Sequence, residues 1–326
     1  MMRFSKWCGF VLAIVVAATL ATGATAETPS KLRLDYASYN PVSLVLKDKG
    51  WMEAEFAQDN ITIEWVQSAG SNKALEFLQK NTVDFGSAAG GAALMARAAG
   101  TPVKAIYVFS RPEWTALVVP ADSPLKSVAD LKGRKVAVTP GTDPHIFLLR
   151  ALEDAGLSDK DITIVSLQHA DGRMAMEKGE VDAWAGLDPM MAQSELTAHA
   201  RLLFRDPYLN TYGLLCVRED FMAAQPELIQ RVLKVYDQAR VWALQHPDEL
   251  RAALVHAAKI DDAVAARQLE RTDLRNSAIG QAQQRTIQAA GEALQRTGVI
   301  PASVDIAKTV GDLIDRRFAV KTTAQQ

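Results

Sequence analysis

The sequence predicts an α/β protein of two similarly built lobes, hinged around a cleft, with a helical C-terminal tail packed on the first lobe. Three observations carry this. Short strand-like runs alternate with amphipathic segments from Lys31 to Val217, the pattern of a mainly parallel sheet covered on both faces. The same order of units returns about one hundred residues later: Pro41 and Pro144 lie 103 positions apart, Val66 and Val165 99, and Val83 and Val181 98. Beyond Val217 the strand pattern stops and helical periodicity takes over.

Taken in order, Leu32 to Tyr36 alternates as a strand. Asn40-Pro41 opens a helix through Val42, Val45 and Leu46, which Gly50 stops. A strand at 61–66, a helix at 71–80 and a short buried strand at 83–86 follow, then a small-residue helix from Gly91 to Ala98 and strands at 103–109 and 116–119. The second round has a strand at 135–138 and a helix opened by Asp143-Pro144 and closed at Gly156. It continues with a strand at 162–165, a helix around Met174 to Glu177, and Val181-Asp182 leading to Asp188-Pro189. A last strand occupies 212–217. Helices are then expected from Pro226 to before Pro247 and at 248–258, 261–270, 279–297 and 303–316, with a polar, frayed end at 321–326. These elements divide the chain into a leader (1–26), a first lobe with its tail (27–118 and 219–326) and a second lobe (119–218), with crossings near 118 and 218.

Length and composition agree. A chain of 326 residues, 48% hydrophobic, can bury one large or two medium cores. Aromatics at 7% and 36 basic against 38 acidic residues exclude a disordered or collagen-like chain. The net charge of −2 gives no pull toward nucleic acid or anionic lipid. Two cysteines exclude a disulfide framework and a cysteine-built metal site.

Residues 1–26 read as a secretory leader: Arg3 and Lys6, an apolar run from Phe10 to Leu20, then Ala24-Thr25-Ala26 at the cleavage site. The run is too short for a comfortable membrane span. Cys8 precedes it, so a lipoprotein anchor is not expected. Cleavage after Ala26 removes two cations and no acid, which takes the net charge from −2 to −4 and leaves Cys216 as the only thiol. The expected product is a monomer exported to the periplasm.

No catalytic motif emerges. Gly-x-Gly-x-x-Gly, Walker, His-Glu-x-x-His and Gly-x-Ser-x-Gly patterns are absent. Ser123-Pro124-Leu125-Lys126 matches Ser-x-x-Lys but sits in a proline-containing connection without companion motifs. The five histidines have no metal-ligand spacing, and only His145 and His169 fall near strand ends. An enzyme, a cofactor and a metal are therefore not expected.

What the chain offers is a set of loops at strand ends that run into helix starts, where open α/β sheets bind ligands. They are Ala37-Ser38-Tyr39-Asn40, Ser68-Ala69-Gly70-Ser71-Asn72, Ser87-Ala88-Ala89-Gly90-Gly91, Pro140-Gly141-Thr142-Asp143 and Gly186-Leu187-Asp188. Exposed N–H groups at helix starts, backed by the positive dipole end, suit a small anion. Ser, Asn and Asp are also ordinary N-caps, and Asp143-Pro144 and Asp188-Pro189 fit that plainer role. Candidate ligand residues are Ser38, Asn40, Ser71, Ser87, Ala88, Thr142, Asp143 and Asp188, with Trp114 and Trp184 as candidate walls.

Several stretches carry a resemblance. Gly141-Thr142-Asp143-Pro144-His145, Leu152 to Leu157, Gly179-Glu180-Val181-Asp182-Ala183-Trp184 and Asp188-Pro189 resemble the second lobe of periplasmic substrate-binding proteins for aliphatic sulfonates, taurine and nitrate. Ser127-Val128-Ala129-Asp130-Leu131-Lys132-Gly133 before a strand is a further shared mark. The resemblance spans about 30–240. It implies a type II periplasmic binding-protein fold that delivers a small organic anion, an aliphatic sulfonate or taurine, to the membrane permease of an ATP-driven (ABC) importer. Nitrate or a thiamine-pyrimidine precursor are the alternative ligands. A pyrimidine-synthase-like enzyme on the same fold is the rival class, but the cysteine-rich segment of those enzymes has no counterpart here. One departure stands out: Asp143 occupies a position where the sulfonate-binding relatives carry a small hydroxyl residue. Its carboxylate is expected either to cap its helix or to meet a cationic group on the ligand.

Overall fold

The computed structural model describes residues 28–318, so the leader and the polar end at 321–326 lie outside the described residues. The chain opens with β1 (Lys31–Tyr36), α1 (Pro41–Lys49), α2 (Trp51–Phe56), β2 (Thr62–Gln67), α3 (Ser71–Gln79), β3 (Phe85–Ala89), α4 (Gly90–Ala98) and β4 (Val103–Pro112). It crosses to β5 (Leu117–Val119), β6 (Lys135–Val138), α5 (Asp143–Asp154), β7 (Thr163–Ser166), α6 (His169–Glu177), β8 (Ala183–Ala185), α7 (Met190–Thr197) and β9 (Arg201–Phe204). It returns through β10 (Gly213–Arg218) to α8 (Glu219–Ala224), α9 (Pro226–Gln245), α10 (Pro247–Ala258), α11 (Asp262–Glu270), β11 (Thr272–Asp273), α12 (Gln281–Arg296) and α13 (Ile306–Leu313).

The two sheets are built alike. The first has the order β11-β4-β10-β3-β1-β2 and the second β7-β6-β8-β5-β9. Reading from β2 and from β7, each runs second strand, first, third, then one antiparallel strand, then a fifth strand, which is the edge in the second sheet and is followed by the short edge strand β11 in the first. In each sheet the antiparallel strand enters from the opposite lobe. β10 pairs antiparallel with β3 and β4, and β5 with β8 and β9. The sheets are thus mixed rather than mainly parallel. Gly213–Arg218 belongs to the first sheet although the sequence reading counted it with the second lobe. Its lack of side-chain alternation, with all six residues buried, fits a central strand of either sheet.

Local signals explain the helix starts that matter for the cleft. Asn40 caps α1 by accepting from Ser43 N–H, Pro41 fills the first position, and Gly50 ends the helix at φ 63°. The core of the first lobe joins sheet residues such as Leu34, Phe85 and Val217 to Ile229, Val232 and Tyr236 of α9. The second sheet buries one face on Phe147, Leu148 and Leu152 of α5, and on the other Trp184 of β8 packs with Ala175 and Met176 of α6. As expected, the tail packs on the first lobe, α9 and α10 against α1, and α12 and α13 against α4. It also reaches the second lobe, α12 touching α5 and α11 touching α7.

Candidate ligand-binding cleft

Two helix starts, one from each lobe, meet at a small cavity walled by Tyr39, Ser71, Trp114, Thr142, Asp143, Pro144 and Leu187. Its volume is about 10 Å³, room for one water, so a sulfonate fits only with the lobes further apart than they stand here. Ser71 begins α3 and Thr142 caps α5, so two positive dipole ends converge there; at α5 Pro144 has no N–H and His145 N–H donates to Thr142 O, which leaves only Asp143 N–H ahead of the helical ladder. At α3 the N–H groups of Lys73 and Ala74 donate to Gly70 O, which leaves those of Ser71 and Asn72 ahead of the helical ladder. The lobes are tightly apposed. A methyl group at Gly141 would sit 3.5 Å from Asn72 Cβ, and one at Gly91 only 2.6 Å from Ile146 Cδ1.

The polar groups around the cavity are ordered by neighbours. Ser71 Oγ accepts from Ala89 N–H at 3.0 Å, which keeps its own proton available for another acceptor. Thr142 Oγ1 donates to Thr139 O at 2.7 Å, and the Tyr39 hydroxyl donates to Ser87 O at 3.0 Å. Asp143 accepts three hydrogen bonds: Trp114 Nε1 at 2.8 Å, Thr211 N at 2.9 Å and Thr211 Oγ1 at 2.6 Å. Thr211 Oγ1 in turn accepts from Gly91 N–H at 3.1 Å, so a chain of bonds links the starts of α4 and α5. Burial raises the Asp143 carboxyl to about 6 against the pull of those Thr211 and Trp114 donors. The capping expectation for Asp143 does not hold. Thr142, not Asp143, is the N-cap of α5, and the carboxylate is occupied by donors of the protein itself.

Asp188 accepts from Ala192 N–H at 2.9 Å and faces the Arg271 guanidinium at 3.4 Å, which also binds Glu195. Burial raises its carboxyl to about 7; Arg271 and the Ala192 amide oppose the rise, and Glu195, sharing the same cation, adds to it. Asn40 Nδ2 donates to Ser87 Oγ at 2.8 Å and to the Tyr236 hydroxyl at 2.9 Å. Ser87 Oγ donates to the buried Asp35 at 2.8 Å. Ala88 pairs with Leu214 inside the sheet, and the Ser38 carbonyl accepts from Gln268 Nε2 at 2.6 Å. Trp184 is fully buried in the second lobe's core.

Of the candidate residues, the structure therefore gathers Ser71, Trp114, Thr142 and Asp143 at the cavity, while Ser38, Asn40, Ser87, Ala88 and Asp188 lie outside its walls. Two wall residues, Tyr39 and Leu187, stand inside the nominated loops beside Asn40 and Asp188. Thr211 and Arg271 carried no local signal, because their partners are distant in sequence.

A larger cavity of about 490 Å³ opens beside the first crossing, with Arg111, Glu113, Leu244, Leu250, Arg271 and Arg275 among its walls. Most of its charges are engaged: Glu113 with Arg205, Arg275 with Asp273, and Arg271 with Asp188 and Glu195. No such convergence of helix starts from both lobes marks it, so the smaller cavity is the better candidate. Among the described residues no group of three or more His, Cys, Asp or Glu is placed to hold a metal ion. None of the described helices is long and apolar enough to cross a membrane.

A Bacillus subtilis protein named for binding aliphatic sulfonates is 29% identical over 281 residues, covering 85% of this chain and 83% of its own. An Escherichia coli protein of the same name is 29% identical over 299 residues, 88% of this chain and 90% of its own. The alkanesulfonate-binding protein SsuA from Xanthomonas axonopodis pv. citri, solved bound to MOPS, superposes with a TM-score of 0.81 at 28% identity, over 89% of this chain and 100% of that one. The periplasmic aliphatic sulphonate binding protein SsuA from Escherichia coli gives 0.76 at 28%, over 89% and 93%. The desulfurization enzyme DSZB, at 15% identity and a TM-score of 0.65, shares the fold alone. The NMT1/THI5-like family model matches residues 42–250, and the chain belongs to that family, with the two-lobed fold of a periplasmic binding protein.

Proposed function

We propose that the protein is the periplasmic solute-binding component of an ATP-driven importer, without catalysis of its own, and that it closes its lobes on a small aliphatic sulfonate. One observation carries this most: the starts of α3 and α5, from different lobes, converge on one buried cavity. Amides at helix starts are neutral donors backed by a positive dipole end, and they satisfy sulfonate oxygens as they do phosphate. The Ser71 hydroxyl proton adds a second kind of donor, and Trp114, Tyr39 and Leu187 supply apolar walls for an organic tail. Asp143 does not oppose an anion here, because Thr211 and Trp114 surround its carboxylate with donors.

The proposed lobe division follows the sheets, with crossings at 113–116 and 205–212, and the partner is a membrane permease that reads the closed form. Calorimetric titration of the mature protein against alkanesulfonates, nitrate, sulfate and a thiamine-pyrimidine precursor tests the reading. Heat from the sulfonates alone is expected. Binding of nitrate or the pyrimidine, with no heat from any sulfonate, overturns it.

A further inference from the structure

His169, the first residue of α6, is only 1% exposed and sits at the seam between the lobes. Its Nδ1 lies 3.1 Å from Thr139 Oγ1, and the Thr139 hydroxyl donates to Leu167 O at 2.8 Å. With that proton committed, the Thr139 oxygen can only accept, so Nδ1 carries the ring hydrogen and Nε2 presents a bare lone pair. Nε2 has no hydrogen-bond partner among the described residues. Burial lowers the ring to about 3, so it stays neutral.

What Nε2 faces is the loop before α3 on the other lobe. A methyl group at Gly70 would lie 3.0 Å from Nε2 and 2.9 Å from Asn72 Oδ1. The Asn72 oxygen is also buried without a partner. Two unpaired acceptors from opposing lobes thus flank Gly70, next to Ser71 in the cavity wall. A buried acceptor without a donor is costly, and a site built to hydrogen-bond a ligand rejects the analogue that lacks the group.

We propose that His169 Nε2 and Asn72 Oδ1 form an acceptor pair that selects ligands whose tail carries a hydrogen-bond donor, an ammonium or a hydroxyl group. The inference rests on the sulfonate reading of the cleft, with the anionic head at the starts of α3 and α5. An ammonium can donate to both acceptors at once, a hydroxyl to one. An Asn72 amide turned so that its nitrogen donates to Nε2 would satisfy the pair without any ligand, and the experiment separates the two cases.

Three sulfonates that differ only in their second carbon's substituent serve as probes: 2-aminoethanesulfonate, 2-hydroxyethanesulfonate and ethanesulfonate. For the wild-type protein, calorimetry is expected to show the amino compound about tenfold tighter than ethanesulfonate, the yield of one or two hydrogen bonds, with the hydroxy compound between them. In His169→Phe and in Asn72→Leu that preference falls below about twofold, and in His169→Phe ethanesulfonate affinity stays within about threefold of wild type. Should His169→Phe fail to fold, Asn72→Leu, at a half-buried position, decides alone. Equal affinity of the wild type for all three probes, a preference that survives in the variants, or an equal loss for all three overturns the inference alone. No heat from any sulfonate with the wild type overturns the proposed function, and the inference with it.

Discussion

Replacing Arg271 with methionine removes the cation that ties the tail to the second lobe. Its side chain is 5% exposed and faces Asp188 at 2% and Glu195 at 14%. Without it two carboxylates are sealed against each other, and removing one partner of a buried ion pair costs about 3–5 kcal/mol. Glu195 keeps a second cation, Arg267 at 3.6 Å, so the low end applies. That penalty belongs to the apposed lobes alone, since separation returns both carboxylates to water. The closure equilibrium, and with it ligand affinity, should therefore weaken roughly 100-fold at pH 8. The pH dependence has a definite sign. A carboxyl raised to about 7 in the closed form favours that form below its raised value and opposes it above. Protonation of Asp188 relieves the repulsion in acid, and at pH 6 the loss should shrink to about tenfold. The assay is titration of ethanesulfonate into wild type and variant at both pH values, beside ligand-free melting curves. An unchanged affinity, or a loss that grows in acid, would refute the reasoning. So would a ligand-free melting temperature lowered by more than about 10 °C, because the penalty would then fall on folding.

Three further outcomes are expected. Gly213→Ala should destabilise the first lobe by about 1–3 kcal/mol in urea unfolding, because its methyl would meet the Phe109 ring at 2.4 Å and Ser110 Oγ at 2.7 Å; a neutral result would mean that the ring moves freely. His169 is held at about 3 against an ordinary 6.5, so its contribution to stability is complete above 6.5 and is lost as the pH falls. Relative to His169→Phe, the wild type should lose about tenfold in folding constant per pH unit below about 6, and parallel stability–pH curves would contradict this. N-terminal sequencing of the exported protein should begin at Glu27, and an intact Met1 or a lipid would contradict the leader assignment.

Much of the fold was legible because its signals are local. Proline at helix starts, Gly50 at a helix end and period-two runs placed the units of both lobes, and their spacing exposed the repeat. The swapped antiparallel strands were not legible. Gly213–Arg218 and Leu117–Val119 carry only burial in their sequence, and which sheet receives them is decided by packing across the whole chain. β9 (Arg201–Phe204) was missed for a related reason: a short, half-buried edge strand lacks clear alternation. At the cleft, loop chemistry pointed to the right places, and in the end Ser71 and Thr142 stand at the cavity. Asn40 and Ser87 have the same chemistry but spend it on each other, Tyr236 and Asp35. Residue type cannot separate a helix start open to the cleft from one closed by a buried network. Arg271 and Thr211 act through partners 83 and 68 positions away, beyond any local pattern.

The central claim is that a sulfonate is held where the starts of α3 and α5 meet, and titration of ethanesulfonate into Ser71→Leu and Thr142→Leu tests it most directly. Both side chains wall the space the ligand must enter, so an added isobutyl group competes with it there. Overpacking of about 1–3 kcal/mol in the ligand-bound form predicts affinity lower by roughly 10- to 100-fold in each variant, while the lost partners of Ala89 N–H and Thr139 O lower ligand-free melting by about 2–10 °C. Wild-type affinity in both variants would place the ligand elsewhere and contradict the account.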